Sequence, residues 1–318
     1  MRYESQVLRL QTDSDYSKRL PIHLCGELLR LLRPLMTYSV RMAVEGSSVA
    51  VGRTPGWLAA ASDVRFVDYA RDGNDTLIQL DLPALGAAAP ELYDQAELWP
   101  TKPAAEYTAV DVFSGVVDEV DRGDQDSLRY DRPLLRKLSS VRRVFSDHLH
   151  SVSLPHGSNG AARAFLLTEN TTAIAGRLAD STPQPQEVRV AGQLDMIRRS
   201  TRSFGLQLDD GTEVHGVLEN ADEVDQMREF FGQRVLVLGR AIYRPSGSLL
   251  RIDAHAIEHG EGQPSIFSRV PPSRSRRIPQ VRKVTAGQGW DSFSSYFGCW
   301  PGNETDDQWN EMMLELKK

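Results

Sequence analysis

"EVRVAGQLDMIRRSTRSFGLQLDDGTEVHGVL", Glu187 to Leu218, is the stretch on which the fold turns. It holds two strand-like runs, "EVRVAGQLDMI" and "SFGLQLDD", around a basic loop, "RRSTR". "DDG" then marks a tight turn, and "TEVHGVL" predicts a third strand. Beyond it, "ADEVDQMREFFG" (Ala221 to Gly232) predicts a short amphipathic helix. Val224, Met227, Phe230 and Phe231 share one face, and Gly232 is placed to end it. "QRVLVLGRAIYR" and "LLRIDAHAIE" predict two more strands around "PSGS". The order is three strands, a helix, two strands. Gly192 and Gly239 fall inside strands, where a closing barrel needs bends.

That element order, over Glu187 to Glu258, resembles an OB-fold, a five-stranded Greek-key barrel with a helix between its third and fourth strands. The resemblance implies oligonucleotide contact through the loops joining strands 1 and 2 and strands 4 and 5. The first loop carries Arg198, Arg199 and Arg202, and the second is flanked by Tyr243 and Arg244. Guanidinium groups pair with phosphate and a tyrosine stacks on a base, so these five are the candidate nucleic-acid residues. The same segment holds nine basic and twelve acidic residues, which leaves a structural or protein-binding barrel as the other reading.

Upstream, residues 1–147 read as a mixed α/β domain, making the chain α+β overall. "SQVLRLQ" alternates like a strand. Leu24, Leu28, Leu31, Leu32 and Leu35 recur at helical spacing, with Pro34 expected to kink or break that helix. "VRFVDYARDGNDTLIQLDL" predicts a hairpin, and helices are expected near Ala105 to Asp121 and Arg132 to Ser146. Pro83 to Pro103 gives no clear pattern. Residues 148–186 read as a connector with a strand at "AFLLTE" and a helix at "NTTAIAGRLAD". Residues 187–260 are the barrel, 261–289 a basic linker and 290–318 a tail.

With 318 residues, 40% of them hydrophobic and 25% charged, the chain is of ordinary globular composition and long enough for two or three units. No apolar run has membrane-spanning length, the first residues lack a signal-peptide core, and Cys25 and Cys299 make no disulfide framework. A cytoplasmic protein is expected. No phosphate-binding loop, H-E-x-x-H, C-x-x-C or G-x-S-x-G motif occurs. "DRGDQDSLRYD" does not fit an EF-hand loop in either register, and His148, His150 and His156 lack an arranged fourth metal ligand. No catalytic residue, cofactor or metal is therefore expected.

The net charge of -6 is unevenly spread. Gly262 to Trp290 carries six basic residues and no acid, whereas Asp291 to Lys318 carries six acids and two lysines. Three of the five tryptophans (Trp290, Trp300 and Trp309) stand in the last 29 residues. "TDDQ" at Thr305 to Gln308 is a capping box, after which Trp309, Met312, Met313 and Leu316 form an apolar stripe. Phe293, Phe297 and Trp300 form another, ahead of a Pro-Gly turn. Pieces this short are not stable alone in water. They dock on the chain's own body or in a partner's groove.

"FGCWPGNETDDQWNEMMLEL" resembles the tail of bacterial antitoxins that accompany PIN-domain ribonuclease toxins. The body resembles a bacterial family of no assigned activity with an OB-like domain. The chain is much longer than such antitoxins and has no ribbon-helix-helix or looped-hinge segment. The resemblance implies that Phe297, Trp300, Trp309 and the apolar positions after it contact a toxin, while the preceding arginines approach its acidic, magnesium-binding cleft. Three functions stand as expectations. The first is a non-enzymatic antitoxin-like regulator. The second is a single-strand-binding OB protein that recruits a processing or repair enzyme through its tail. The third is an enzyme within residues 1–147, which no motif supports.

Overall fold

The structure, a computed structural model, describes residues 3–12, 21–50, 52–93, 102–145, 149–154, 164–198, 201–219, 227–260 and 265–273. The chain divides into two units, Met1–Ser275 and Arg276–Lys318. The second falls outside the described residues, and with it every tail residue named above. No helix among the described residues is long and apolar enough to cross a membrane.

The first domain is built on an antiparallel sheet. Its strands are β1 (Tyr3–Gln11), β2 (Arg65–Asp72), β3 (Asp75–Pro83), β4 (Ser151–Leu154) and β5 (Phe165–Thr168), in the order β2-β3-β1-β4-β5. Alternation decides which face is covered. Leu8 and Leu10 of β1 are buried with Ile78, Leu80 and Leu82 of β3 and Val152 and Leu154 of β4, while Val7, just before Leu8, is exposed. The expected β2–β3 hairpin turns at Gly73, whose φ of 61° suits glycine.

Helices close this core. They are α1 (Ile22–Glu45), α2 (Gly56–Ala61), α3 (Leu85–Ala88), α4 (Ala109–Asp121), α5 (Arg132–Ser139) and α6 (Glu169–Ser181). All five leucines of the α1 pattern are buried. Pro34 sits inside an unbroken α1, so the expected break does not occur. Burial of leucines on both sides of Pro34 outweighs the single backbone hydrogen bond that proline forfeits. Phe113 of α4 meets Phe165 of β5 edge to face, with centroids 5.6 Å apart. α5 is shorter than expected and runs on into a 3-10 turn, Ser140–Val144. The 148–186 segment is more than a connector. Through β4 it hydrogen-bonds to β1, and α6 packs on α5, so it completes the first domain.

The second domain is a closed barrel of β6 (Gln186–Arg198), β7 (Ser203–Gln207), β8 (Glu213–Leu218), β9 (Arg234–Tyr243) and β10 (Leu249–His259). β6, β7 and β8 follow one another antiparallel, β10 lies parallel to β8, and β9 closes the ring between β10 and β6. This five-stranded barrel fits an OB-fold. Two glycines permit the closure. A Cβ on Gly216 would fall 2.1 Å from the buried Phe204 ring, and one on Gly239 would fall 2.4 Å from the Asp253 carbonyl oxygen. The β8–β9 connection is described only from Met227, which is buried and leads into a 3-10 turn at Arg228–Phe230. Phe231, expected on the buried face, is 59% exposed; Val224 lies outside the described residues.

The barrel does not end at residue 260. A 3-10 turn at Ser265–Ser268 packs on β6, Val270 joins the barrel core, and the Pro271 carbonyl accepts a hydrogen bond from the Tyr243 hydroxyl at 3.4 Å. The stretch read as the start of a linker is therefore the barrel's last layer as far as Ser273.

Candidate functional site

The expected site consists of the two barrel loops, and the structure turns both toward the first domain. Arg202 closes the β6–β7 loop in a left-handed conformation, with φ of 56°. Its Nη1 donates to the Glu219 carbonyl at 3.2 Å, and its Nη2 lies 4.0 Å from the carboxylate of Glu45, at the C-terminal end of α1. Glu45 is buried and is already held by Arg41 at 2.9 Å. Arg202 is thus engaged by a carboxylate of its own chain. Arg198 is also engaged in an interaction, and Arg199 lies outside the described residues.

The β9–β10 loop docks on the segment between α4 and α5. The Ser246 amide donates to the Gln125 carbonyl at 3.2 Å. The hydroxyls of Ser246 and Ser248 donate to Asp126 Oδ1 at 2.6 and 3.0 Å. These two hydrogen bonds, helped by nearby Arg244, hold the Asp126 carboxyl below its usual range. Arg244 donates from Nη1 to Ser248 Oγ at 3.2 Å, while its Nε is buried without a partner among the described residues. Tyr243 is 2% exposed, with its ring in the barrel core and its pKa raised by burial. Its place at a strand end suggested an aromatic platform. Its buried ring offers no face to a base.

Between the two loops lies a buried charge network that the sequence reading missed. Arg251 of β10 donates from Nε to Asp253 at 2.7 Å, from Nη2 to Ser47 Oγ at 2.9 Å, and from Nη1 to Asp131 at 3.3 Å. Asp131 is the N-cap of α5. It also accepts from the Leu134 amide at 3.2 Å, from the Ser48 amide at 3.0 Å and from the Ser48 hydroxyl at 2.5 Å. The carboxylate that starts a helix in one domain thereby neutralises an arginine of the other. Asp before Arg-Pro was a readable cap signal. An arginine within "LLRIDA" carried no sign of its partner. Leu250, next to Arg251, belongs to the first domain's core, whereas Ile252 belongs to the barrel's. What this arrangement does chemically is lock two domains together.

The barrel's open side carries a polar hollow of about 360 Å³, lined by Gln193, Gln207, Asp209 and Arg234 among others. Arg234 clamps Asp209 with two bonds of 2.5 and 2.9 Å and reaches Ser268 Oγ at 2.8 Å. The Arg234 contact, with Ser268 second, holds the Asp209 carboxyl down to about 2. Among the described residues no His, Cys, Asp and Glu side chains are grouped to hold a metal ion, and His148 and His156 lie outside those residues.

A scan against protein-family models, a search of curated proteins and a search of solved structures each returned no match.

Proposed function

We propose that this chain is a non-enzymatic, antitoxin-like regulator that neutralises a nuclease partner of PIN-domain type through residues 290–318. One observation carries the reading: the chain divides at Arg276, so its most tryptophan-rich stretch belongs to a unit separate from the folded body. Trp290, Phe293, Phe297 and Trp300 supply one set of apolar anchors, and Trp309, Met312, Met313 and Leu316 supply another. Large aromatics on short segments are the usual energetic centres of an interface. The arginines just upstream (Arg276, Arg277 and Arg282) suit the acidic cleft in which a nuclease holds its metal. Occupying that cleft blocks catalysis without chemistry in this chain, and no cofactor is needed. The protein acts in the cytoplasm, where such a nuclease finds its substrate. The alternative, a single-strand-binding barrel, has less support, because Arg202, Tyr243 and the β9–β10 loop are engaged within the chain.

The test is co-expression with a toxic PIN-type nuclease encoded beside the chain. The double variant Trp300→Ala/Trp309→Ala should keep the melting temperature of the body and lose more than about 30-fold in affinity, roughly 2 kcal/mol. It should also fail to rescue growth. Full rescue at equal protein level sinks the reading.

A further inference from the structure

One surface of the first domain concentrates positive charge. From Arg132 to Val144 the chain has five basic residues and no acid. These lie along α5 and the 3-10 turn after it. α6 lies antiparallel beside them, since Arg132 Nε donates to the Ala179 carbonyl at 3.1 Å and Ser139 abuts Gly176. Arg136 on α5 and Arg177 on the adjacent α6 are both exposed. The 3-10 turn in turn packs on α1, where Arg143 and Arg30 share Glu27.

The carboxylates here do not balance the cations. Glu27 is shared by two arginines, Glu169 is taken by Arg142 at 3.0 Å, and Asp180 faces Arg132. Arg33, Arg136, Lys137 and Arg177 have no ion-pair partner among the described residues. Burial first, and then the neighbouring Arg136, disfavour the charge on Arg132. An otherwise acidic chain keeps this repulsion on an exposed ridge. The row from Arg132 to Arg143 spans roughly 20 Å at helical rise, comparable to several phosphates at about 3.4 Å along one duplex strand. Arginine dominates the row, and its planar fork matches phosphate oxygens two at a time.

We infer that the α5–α6 ridge is a sequence-independent binding surface for the phosphate backbone of a nucleic acid. It is distinct from the barrel loops and does not depend on the tail's partner. The side chains contact phosphates only, so affinity is set by salt and hardly by base sequence.

The experiment is fluorescence anisotropy of the full chain with a labelled DNA duplex and a labelled single-stranded RNA of equal length, each in two unrelated sequences. With about three phosphates neutralised, binding should weaken about 40-fold between roughly 50 and 200 mM salt. Arg136→Gln/Lys137→Gln/Arg177→Gln should lower affinity at least tenfold at low salt and flatten the salt slope, with an unchanged melting curve. If that variant melts early, the single Arg136→Gln and Arg177→Gln variants must each still reduce the slope by about 1. Comparable binding of both probes supports a backbone site, and preference for one probe identifies the physiological acid. Four outcomes overturn the inference. One is no binding by wild type at low salt. Another is equal binding by the variants. The third is a loss produced instead by neutralising Arg274, Arg276 and Arg277. Capture of an acidic protein that these variants also release, with no nucleic-acid binding, counts against it as well.

Discussion

Two sets of arginines in this chain look alike as sequence and differ completely as structure. Arg202, Arg244 and Arg251 decorate the barrel near its loops, and two of the three reach buried carboxylates, Glu45 and Asp131, on the first domain. Arg136 and Arg177 decorate helices and reach none among the described residues. The difference teaches that a basic loop on a binding fold is not evidence of a binding site until its counter-charges are located. In an acidic chain the first partners available to an arginine are the chain's own carboxylates, and a second domain docked on the loops supplies them. Cations left over after that matching are the informative ones.

The sharpest way to break this contrast is Arg251→Ala. It removes a guanidinium that is 5% exposed and withdraws one charge-assisted partner from fully enclosed Asp131. A loss of about 3 kcal/mol is expected, or roughly 6–12 °C in melting temperature for a body of this size. Arg136→Ala should stay within about 0.5 kcal/mol of wild type, as exposed substitutions do. Equal melting curves for the two variants would erase the distinction.

A smaller effect tests the loop seam itself. Asp126 joins Ser246 and Ser248 across the domain boundary. A double-mutant cycle between Asp126→Ala and Ser246→Ala should return a favourable coupling distinguishable from zero. A coupling indistinguishable from zero would mean that the β9–β10 loop rests on the first domain without being fastened to it, and would reopen that loop to an outside ligand.

The smallest effect is in acid. Asp209 titrates near 2 in the folded chain, below its value in an unfolded one, because Arg234 and then Ser268 hold its ionised form. Its contribution is therefore complete above pH ~3.9 and fades as pH falls toward 2. Urea denaturation of Asp209→Asn should lose part of the stability difference between pH 5 and pH 2.5 that wild type shows. Identical pH slopes would show that the Arg234 clamp contributes nothing at this exposed site.

How much was legible beforehand follows the same line. The barrel strands could be read because alternation and tight turns are local signals, and the α1 stripe because five leucines share a face over one continuous helix. The break allowed for at Pro34 does not occur because propensity is weak against burial on both sides of it. The 148–186 segment misled because β4 is four residues long and acquires its meaning only from pairing with β1, far away in sequence. Tyr243 misled because its place beside a loop drew attention from the alternation of β9, in which Val235, Val237, Ala241 and Tyr243 share the inward face. Residues 265–273 misled because a Pro-rich, basic stretch reads as a tether, although Val270 and Ser268 seat it on the barrel. The proposed ridge could be counted from the sequence, but its lack of counter-charges required knowing which carboxylates α1 and α6 bring near.

Leu250 has a consequence for the order in which this protein matures. It is a late residue that completes an early core, packing with leucines whose helices end with α6 at Ser181. On a ribosome, the first domain is thus fully translated yet unfinished for the time needed to make about 70 further residues, roughly 4–14 s at 5–20 residues per second. During that wait the pocket for Leu250 and the carboxylate of Asp131 stand open. Final closure comes only when the last barrel strand arrives.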